Sequence, residues 1–312
     1  MRIFDAAAVA NALPYELLID ALDAAFRNDV EVPPRVHHAI KVPEAQDGTL
    51  LLMPAWTIGD SLGVKIVNVF PDNAKHGLAA VHASYVLMDA GNGIVRGMLD
   101  GTELTLRRTA CASALASRYL SKKDARKLLM VGTGNLAPHM IAAHACARPI
   151  DEVRIWGRRR SAAEALAGEL SDLPFAVGVA DDLEDAVKDA DIVSCATLAK
   201  EPLIRGAWLQ AGQHVDLVGA YTPQMREADS EAVRRATLFV DTLAGATTEA
   251  GEIVQALQSG DISMSDVKAE LAGLVRGQHA GRTSDDEITL FKSVGTALED
   301  LAAAKLVLGR DP

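Results

Sequence analysis

The sequence predicts an α/β protein: an α+β region built on hairpin strands, followed by a parallel sheet with crossover helices. Three observations predict it. Between Leu50 and Leu99, runs rich in Val, Ile and Leu are punctuated by turn residues, most clearly DAGNG at Asp89–Gly93. From Lys127 onward, short apolar runs alternate with helical stretches. At the junction, VGTGNLAPH (Val131–His139) sets a G-x-G-x-x-A pattern between a strand and a helix.

Taken in order, Ala6–Phe26 reads as one helix, because Val9, Leu13, Leu17, Leu18, Leu22 and Phe26 fall near helical spacing. Strands follow over Leu50–Met53, Leu62–Val69 and Ala79–Asp89, and Ile94–Leu99 returns from the DAGNG turn. Leu104–Leu120 is a long alanine-rich helix. Lys127–Val131 is a strand, Ala137–Cys146 a helix and Glu152–Trp156 a strand. Ser161–Leu170 reads as a helix opened by Ser161, with Glu164 at capping-box spacing. Phe175–Val179, Ile192–Ser194, His214–Val218 and Thr237–Val240 are further strands, with helices over Leu183–Ala190 and from Arg226–Ala228 onward. Glu287–Leu308 opens with the strand-like ITLF and ends in a helix placed to rejoin the first region.

Composition bounds the function. The chain has 312 residues, 49% of them hydrophobic, which is globular and sufficient for two domains. A net charge of −11 opposes broad nucleic-acid binding, since neutralising phosphates needs a basic face. Cys111, Cys146 and Cys195 form no CxxC pair, so neither a metal site nor a disulfide framework is expected, and all three read as small buried apolar groups. The first residues carry no long apolar run, and no segment reaches the roughly 18 residues needed to cross a bilayer. The expectation is a cytoplasmic protein without a membrane or nucleic-acid partner.

The glycine pattern carries chemistry. Gly132 permits the tight turn, Gly134 lets a pyrophosphate approach the backbone, and Ala137 is small enough for the helix to pack on the strand. The helix N-terminal amides then face the phosphates. Gly132, Thr133, Gly134, Asn135, Leu136 and Ala137 are therefore the candidate cofactor-binding turn. A site for the cofactor without a 2′-phosphate would place Asp or Glu near the end of the second strand; here Trp156-Gly157-Arg158-Arg159-Arg160 stands instead. A carboxylate would repel a 2′-phosphate, whereas arginine makes charge-assisted bonds to it. Arg158 and Arg159 are the candidates, and NADPH is expected, with NADH accepted less well.

Polar residues of the first region supply a second set. Lys65, in GVKIVNVFPDN, alternates with Val64 and Ile66 and so stands alone on its strand face. Arg107 and Arg108 open the alanine-rich helix, from which one could reach a substrate carboxylate, and Arg35 follows two prolines as a third carboxylate partner. Asp72 and Asn73 lie in a loop after a strand, and His82 is a weaker acid–base candidate.

GVKIVNVFPDN, GLAAVHASYVLMDAGNG and LRRTACASALASRYL, followed by the VGTGNLAPH turn, resemble the ornithine cyclodeaminase and mu-crystallin family in order and spacing over nearly the whole chain. The resemblance implies a Rossmann domain inserted in a discontinuous α+β domain for substrate binding and dimerisation, here residues 1–115 with 290–312 around 116–289. It implies a homodimer, with Arg35, Lys65 and Arg108 around the carboxylate of an amino or imino acid and no metal. Lys65 and Arg108 would carry the catalytic role. Cyclodeaminases have an aspartate after a Gly-Gly pair; the matching segment, DLVGAYTPQMRE (Asp216–Glu227), has Tyr221 there. That departure opposes ornithine deamination and places Tyr221 as a pocket residue. The chain looks more like the members that reduce cyclic ketimines: Δ1-pyrroline-2-carboxylate to L-proline and Δ1-piperideine-2-carboxylate to L-pipecolate. The alternatives are an ornithine cyclodeaminase, an alanine or N-alkyl amino acid dehydrogenase, and a non-catalytic NADPH and small-ligand binder of mu-crystallin type.

Overall fold

A computed structural model describes residues 1–310, and of Ala74 the backbone alone. By internal contacts the chain divides into Met1–Thr109 with Thr296–Pro312, and Ala110–Gly295. The boundaries thus fall within a helix and just after a strand, a few residues from 115/116 and 289/290. The last two residues of the expected 290–312 segment lie outside the described residues.

The first unit contains β1 (Arg2–Phe4), α1 (Ala6–Ala12), α2 (Tyr15–Arg27), β2 (Val36–Ile40), β3 (Gly48–Thr57), β4 (Ser61–Val69), β5 (Val81–Asp89) and β6 (Val95–Asp100). The expected single helix over Ala6–Phe26 is two helices. Leu13 ends the first and Pro14 caps the second, because a proline ring has no N–H and crowds the preceding turn. Leu18, Ile19, Leu22 and Phe26 are the buried stripe of α2. Full burial of each such side chain is worth about 1.5–3 kcal/mol.

The six strands form one sheet in the order β1-β6-β5-β4-β3-β2, antiparallel except for β1 beside β6. Lys65 is paired with Met53 on one side and Tyr85 on the other, so β4 is central. One face of the sheet buries Met53, Ala55, Lys65, Tyr85 and Leu87. The C-terminal helix, Ala297–Arg310, packs on β3, β4 and β5 and on α2. The other face carries Pro54, Val64 and Val86 half-buried and Met98 exposed, in one cross-strand row.

Helix α3 (Gly101–Leu120) runs from the first unit into the second, and Asp100 accepts from the Glu103 N–H at its start. The second unit then alternates: β7 (Lys127–Val131), α4 (Ala137–Ala147), β8 (Glu152–Trp156), α5 (Arg160–Glu169), β9 (Ala176–Val179), α6 (Leu183–Asp189), β10 (Ile192–Cys195) and β11 (His214–Leu217). It ends with α7 (Ser230–Arg235), β12 (Thr237–Val240), α8 (Leu243–Thr248), α9 (Gly251–Ser259), β13 (Val267–Glu270), α10 (Leu271–Val275) and β14 (Thr289–Lys292). The C-terminal helix of the first unit is then α11.

All eight strands of this sheet are parallel, in the order β13-β12-β14-β11-β10-β7-β8-β9. The chain winds outward from β7 through β8 to β9, then returns to β10 on the other side of β7. The β7/β10 boundary is therefore a switch point, where such sheets take ligands beyond their strand ends. The core includes Leu129, Val131, Val193, Val215, Leu217 and Leu238.

Three helix starts differ from the sequence reading; α3 begins at Gly101 rather than Leu104, with Asp100 accepting from its first turn. Helix α5 begins at Arg160 with Arg159 as its cap and no side-chain capping bond; Glu164 accepts from Arg160 Nε at 2.7 Å instead of closing a capping box. The helix expected from Arg226–Ala228 begins at Ser230, because Asp229 caps it by accepting from the Ala232 N–H. Cys111 and Cys195 are buried, but Cys146 is exposed on α4. Among the described residues no helix is long and apolar enough to cross a membrane.

Candidate active site

In the first unit, Lys65, Arg108, Glu299 and Asp300 form one buried cluster. Lys65 is 2% exposed, and its Nζ lies 2.9 Å from both Asp300 carboxylate oxygens. Arg108 NH1 donates to Glu299 Oε2 at 2.5 Å, and its Nε lies 2.9 Å from Asp300 Oδ1. Lys65 thus projects from the strand face that α11 covers and is not an edge lysine in water. Glu299 and Asp300 occupy the first turn of α11, where the helix dipole also favours carboxylates.

The charges decide what this cluster can hold. Arg35, half-buried before β2, acts electrostatically on Lys65. Lys65 and Arg108 thus meet Glu299 and Asp300 directly, and the field of Arg35 reaches Lys65, a cationic set suited to a substrate carboxylate. Burial first, and then Arg108, lower the Lys65 ammonium from 10.5 to about 8, with Asp300 opposing and Arg35 adding to the fall. The Tyr85 hydroxyl, buried on the same face, has no hydrogen-bond partner among the described residues; burial and Asp300 push it well above its ordinary range, so it stays protonated.

The other polar candidates of this unit lie elsewhere. Arg107 is held by Glu103 at 2.5 Å, donates to the Leu13 carbonyl at 3.0 Å and lies over the Tyr15 ring. Asp72 pairs with Lys75 and accepts from the Gln46 N–H in the loop between β2 and β3, while Asn73 donates to the Ala79 carbonyl, so both serve local loop structure. His82 is exposed and three positions from Tyr85, hence on the opposite sheet face from Lys65.

In the second unit, a cleft of about 650 Å³ opens at the switch point. Its walls are Gly132, Thr133 and Gly134 after β7, the segment Trp156–Arg159 after β8, and Ala196, Thr197 and Leu198 after β10. Gly132 has φ 123°, and a Cβ there would meet the Ala196 carbonyl oxygen at 2.6 Å, so the turn requires glycine. A Cβ on Gly134 would meet nothing within 4 Å; its backbone borders open space on the cleft. Ala137 is buried as the first residue of α4, packed as the pattern requires, with Asn135 exposed and Leu136 capping the helix. Arg158 and Arg159 are exposed on the cleft, whereas Arg160 turns to Glu164 and Asp181. The turn and the helix start fit a dinucleotide, and the two arginines also line the cleft. Tyr221, 44% exposed, follows β11 in this unit.

Sequence reasoning missed Glu299 and Asp300. The available signal was an acidic pair inside an otherwise apolar helix, TALEDLAAAKLVL. It also missed Ala196, Thr197 and Leu198, whose only mark is their place after a strand adjoining the glycine turn.

The model of the ornithine cyclodeaminase/mu-crystallin family matches residues 2–311. A Δ1-pyrroline-2-carboxylate reductase of Colwellia psychrerythraea is 37% identical, over 99% of this chain and 98% of that protein. The structure of Thermococcus litoralis Δ1-pyrroline-2-carboxylate reductase, in complex with NADH and L-proline, superposes with a TM-score of 0.92 at 32% identity, covering 99% of this chain and 97% of that one. An archaeal alanine dehydrogenase dimer with bound NAD gives 0.91 at 30% identity, over 99% and 95%.

Proposed function

Since the chain belongs to the ornithine cyclodeaminase/mu-crystallin family, we propose that it reduces small cyclic 2-imino acids with a nicotinamide dinucleotide, preferring NADPH. The observation that carries this reading is the buried Lys65–Arg108–Glu299–Asp300 cluster, with Arg35 close enough to act on Lys65, which groups three cations where a substrate carboxylate could be held. The relatives act on substrates of that chemistry.

Arg35, Lys65 and Arg108 bind the carboxylate and fix which face of the imine is presented. The dinucleotide, when bound, supplies hydride to the imine carbon. The C=N electron pair then rests on nitrogen, which is already protonated or takes a proton. Lys65 is suited to that supply, because an ammonium lowered to about 8 releases a proton more readily than one in water. Gly132–Ala137 would cradle the pyrophosphate, and Arg158 and Arg159 would pair with the 2′-phosphate.

Two Rossmann-bearing copies assemble, in this reading, through the apolar row of Pro54, Val64, Val86 and Met98 on the open sheet face. Light scattering at micromolar concentration reads the oligomeric state, and a monomer there removes the homodimer.

The decisive assay is dinucleotide oxidation with Δ1-pyrroline-2-carboxylate and Δ1-piperideine-2-carboxylate, NADPH against NADH. Turnover of either imine, faster with NADPH, is expected; inactivity on both sinks the reading. The likeness to an archaeal alanine dehydrogenase favours a second reading, amination of an open-chain 2-oxo acid. Pyruvate with ammonia or methylamine in the same assay separates the two.

A further inference from the structure

Glu227 is fully buried between two loops of the second unit, and the mechanism above makes no use of it. Its Oε1 accepts from the Thr197 N–H at 2.6 Å and from the Thr197 hydroxyl at 3.0 Å. Its Oε2 accepts from the Gly219 N–H at 2.7 Å and the Ala220 N–H at 3.3 Å. One oxygen therefore serves the segment after β10, which walls the cleft, and the other serves the segment after β11, which leads to Tyr221. The two segments touch: a Cβ on Gly219 would meet the Thr197 carbonyl oxygen at 1.9 Å. Thr197 in turn follows Ala196, whose carbonyl lies against Gly132 of the glycine turn.

The residue is itself held from every side. The Leu203 and Ile204 N–H groups donate to its carbonyl at 2.8 and 2.9 Å, and its own N–H donates to Glu252 Oε1 at 2.6 Å. Lys292 Nζ, on β14, stands 3.8 Å from Glu227 Oε2 and 3.4 Å from Glu252 Oε2. Such bracing aims a carboxylate rather than merely filling space.

We propose that Glu227 is a positioning residue for the dinucleotide: its carboxylate ties the segment after β10 to the segment after β11, and so sets Thr197 and Leu198 on the cofactor cleft. The inference rests on the reading of that cleft as a nicotinamide dinucleotide site. The Thr197, Gly219 and Ala220 groups facing its two oxygens from the loops are donors, which only the ionised carboxylate satisfies on both sides. Burial, opposed by Lys292, raises its pKa to about 7, so the titrations are run above that pH. Glutamine has one acceptor oxygen, so its NH2 would confront the donors of one loop and release it.

The test is titration of NADPH and NADH into folded wild type, Glu227→Gln and Glu227→Asp. Both dinucleotides share the part that the loops hold, so Glu227→Gln weakens both by the same factor, about tenfold. The NADPH to NADH ratio stays as in wild type, unlike the outcome at Arg158. Glu227→Asp keeps four acceptor positions on a shorter stem and recovers part of the affinity. A purely structural role would lower the fraction of competent protein while leaving both Kd values unchanged. Kd values within twofold of wild type, or a loss confined to NADPH, overturn the inference. If Glu227→Gln does not fold, Glu227→Asp alone decides: an equal loss of about threefold supports the inference, and unchanged Kd values overturn it. A wild type that binds neither dinucleotide defeats the proposed function itself, whereas normal wild-type binding with unaffected variants defeats only the role of Glu227.

Discussion

Replacing Asp300 by Asn tests the charge logic of the first unit. The substitution keeps the shape but removes the carboxylate 2.9 Å from Lys65 Nζ and from Arg108 Nε. Arg108 retains Glu299. Breaking a buried ion pair costs about 3–5 kcal/mol when the remaining charge has no escape. Lys65 has one. Its folded-state pKa is about 8 against 10.5 when unpaired, and Asp300 is among the groups that raise it. Without Asp300 the folded value drops further, so Lys65 sheds its proton at a lower pH than in the wild type. In the wild type, the unfolded chain binds a proton that the folded chain has released between about pH 8 and 10.5, so this group makes stability rise with pH across that window and fall as pH drops through it. In the variant the window extends to lower pH. The Lys65 contribution to destabilisation is therefore about 1 kcal/mol at pH 7, and it vanishes near pH 9, where both proteins carry a neutral lysine. Urea unfolding of the two proteins at pH 7 and pH 9 measures the difference. The gap in stability closes by about 1 kcal/mol between the two pH values. A gap that stays constant or widens with pH refutes the reasoning.

Further outcomes follow from the same geometry. Lys65→Ala or Arg108→Ala lowers kcat/KM by about tenfold or more while leaving the NADPH Kd nearly unchanged, as read by steady-state kinetics beside a fluorescence titration; normal activity in either removes that residue from the clamp. Arg158→Asp weakens NADPH about tenfold more than NADH, since a phosphate partner becomes a repelling carboxylate, and an unchanged ratio of the two Kd values rejects the 2′-phosphate assignment. His82→Ala keeps kcat/KM within about twofold, because an exposed ring on the far face of the sheet reaches neither Lys65 nor its carboxylates; a larger loss would restore it as a proton donor.

What the sequence disclosed followed the range of the interactions involved. The β7–turn–α4 unit was legible because Gly132, Gly134 and Ala137 answer local backbone demands within a few residues. Lys65 stood out because a charged residue interrupts a strand period. Its burial and its partner did not, since Asp300 lies 235 positions away. Alternation alone left Lys65 free to be exposed, and only the docking of α11 on that sheet face decided otherwise. Pro14 announced the break between α1 and α2, yet the apolar spacing runs on across it and masked the break. Strand β2, exposed along its whole length, offered no buried period to read. The segment after β10 had no signature, because Glu227 holds it chiefly through a backbone N–H that every residue type supplies, and the motif after β11 did not disclose that Glu227 joins the two.

The separation of Lys65 from Asp300 also orders events during biosynthesis. A ribosome adds about 5–20 residues per second, so the 235 positions between them correspond to roughly ten to fifty seconds of translation. Throughout that interval the nascent β3–β5 sheet has Met53, Ala55, Tyr85 and Leu87 without the helix that covers them. Lys65 and Arg108 must meanwhile keep their charges in water. The parallel sheet encoded between them has all its strands synthesised first and can close while the earlier strands still wait. Folding of the substrate-carboxylate cluster is therefore tied to the arrival of α11, and a pause in elongation before Glu299 would leave a chain with its nucleotide cleft assembled and its cationic pocket still open.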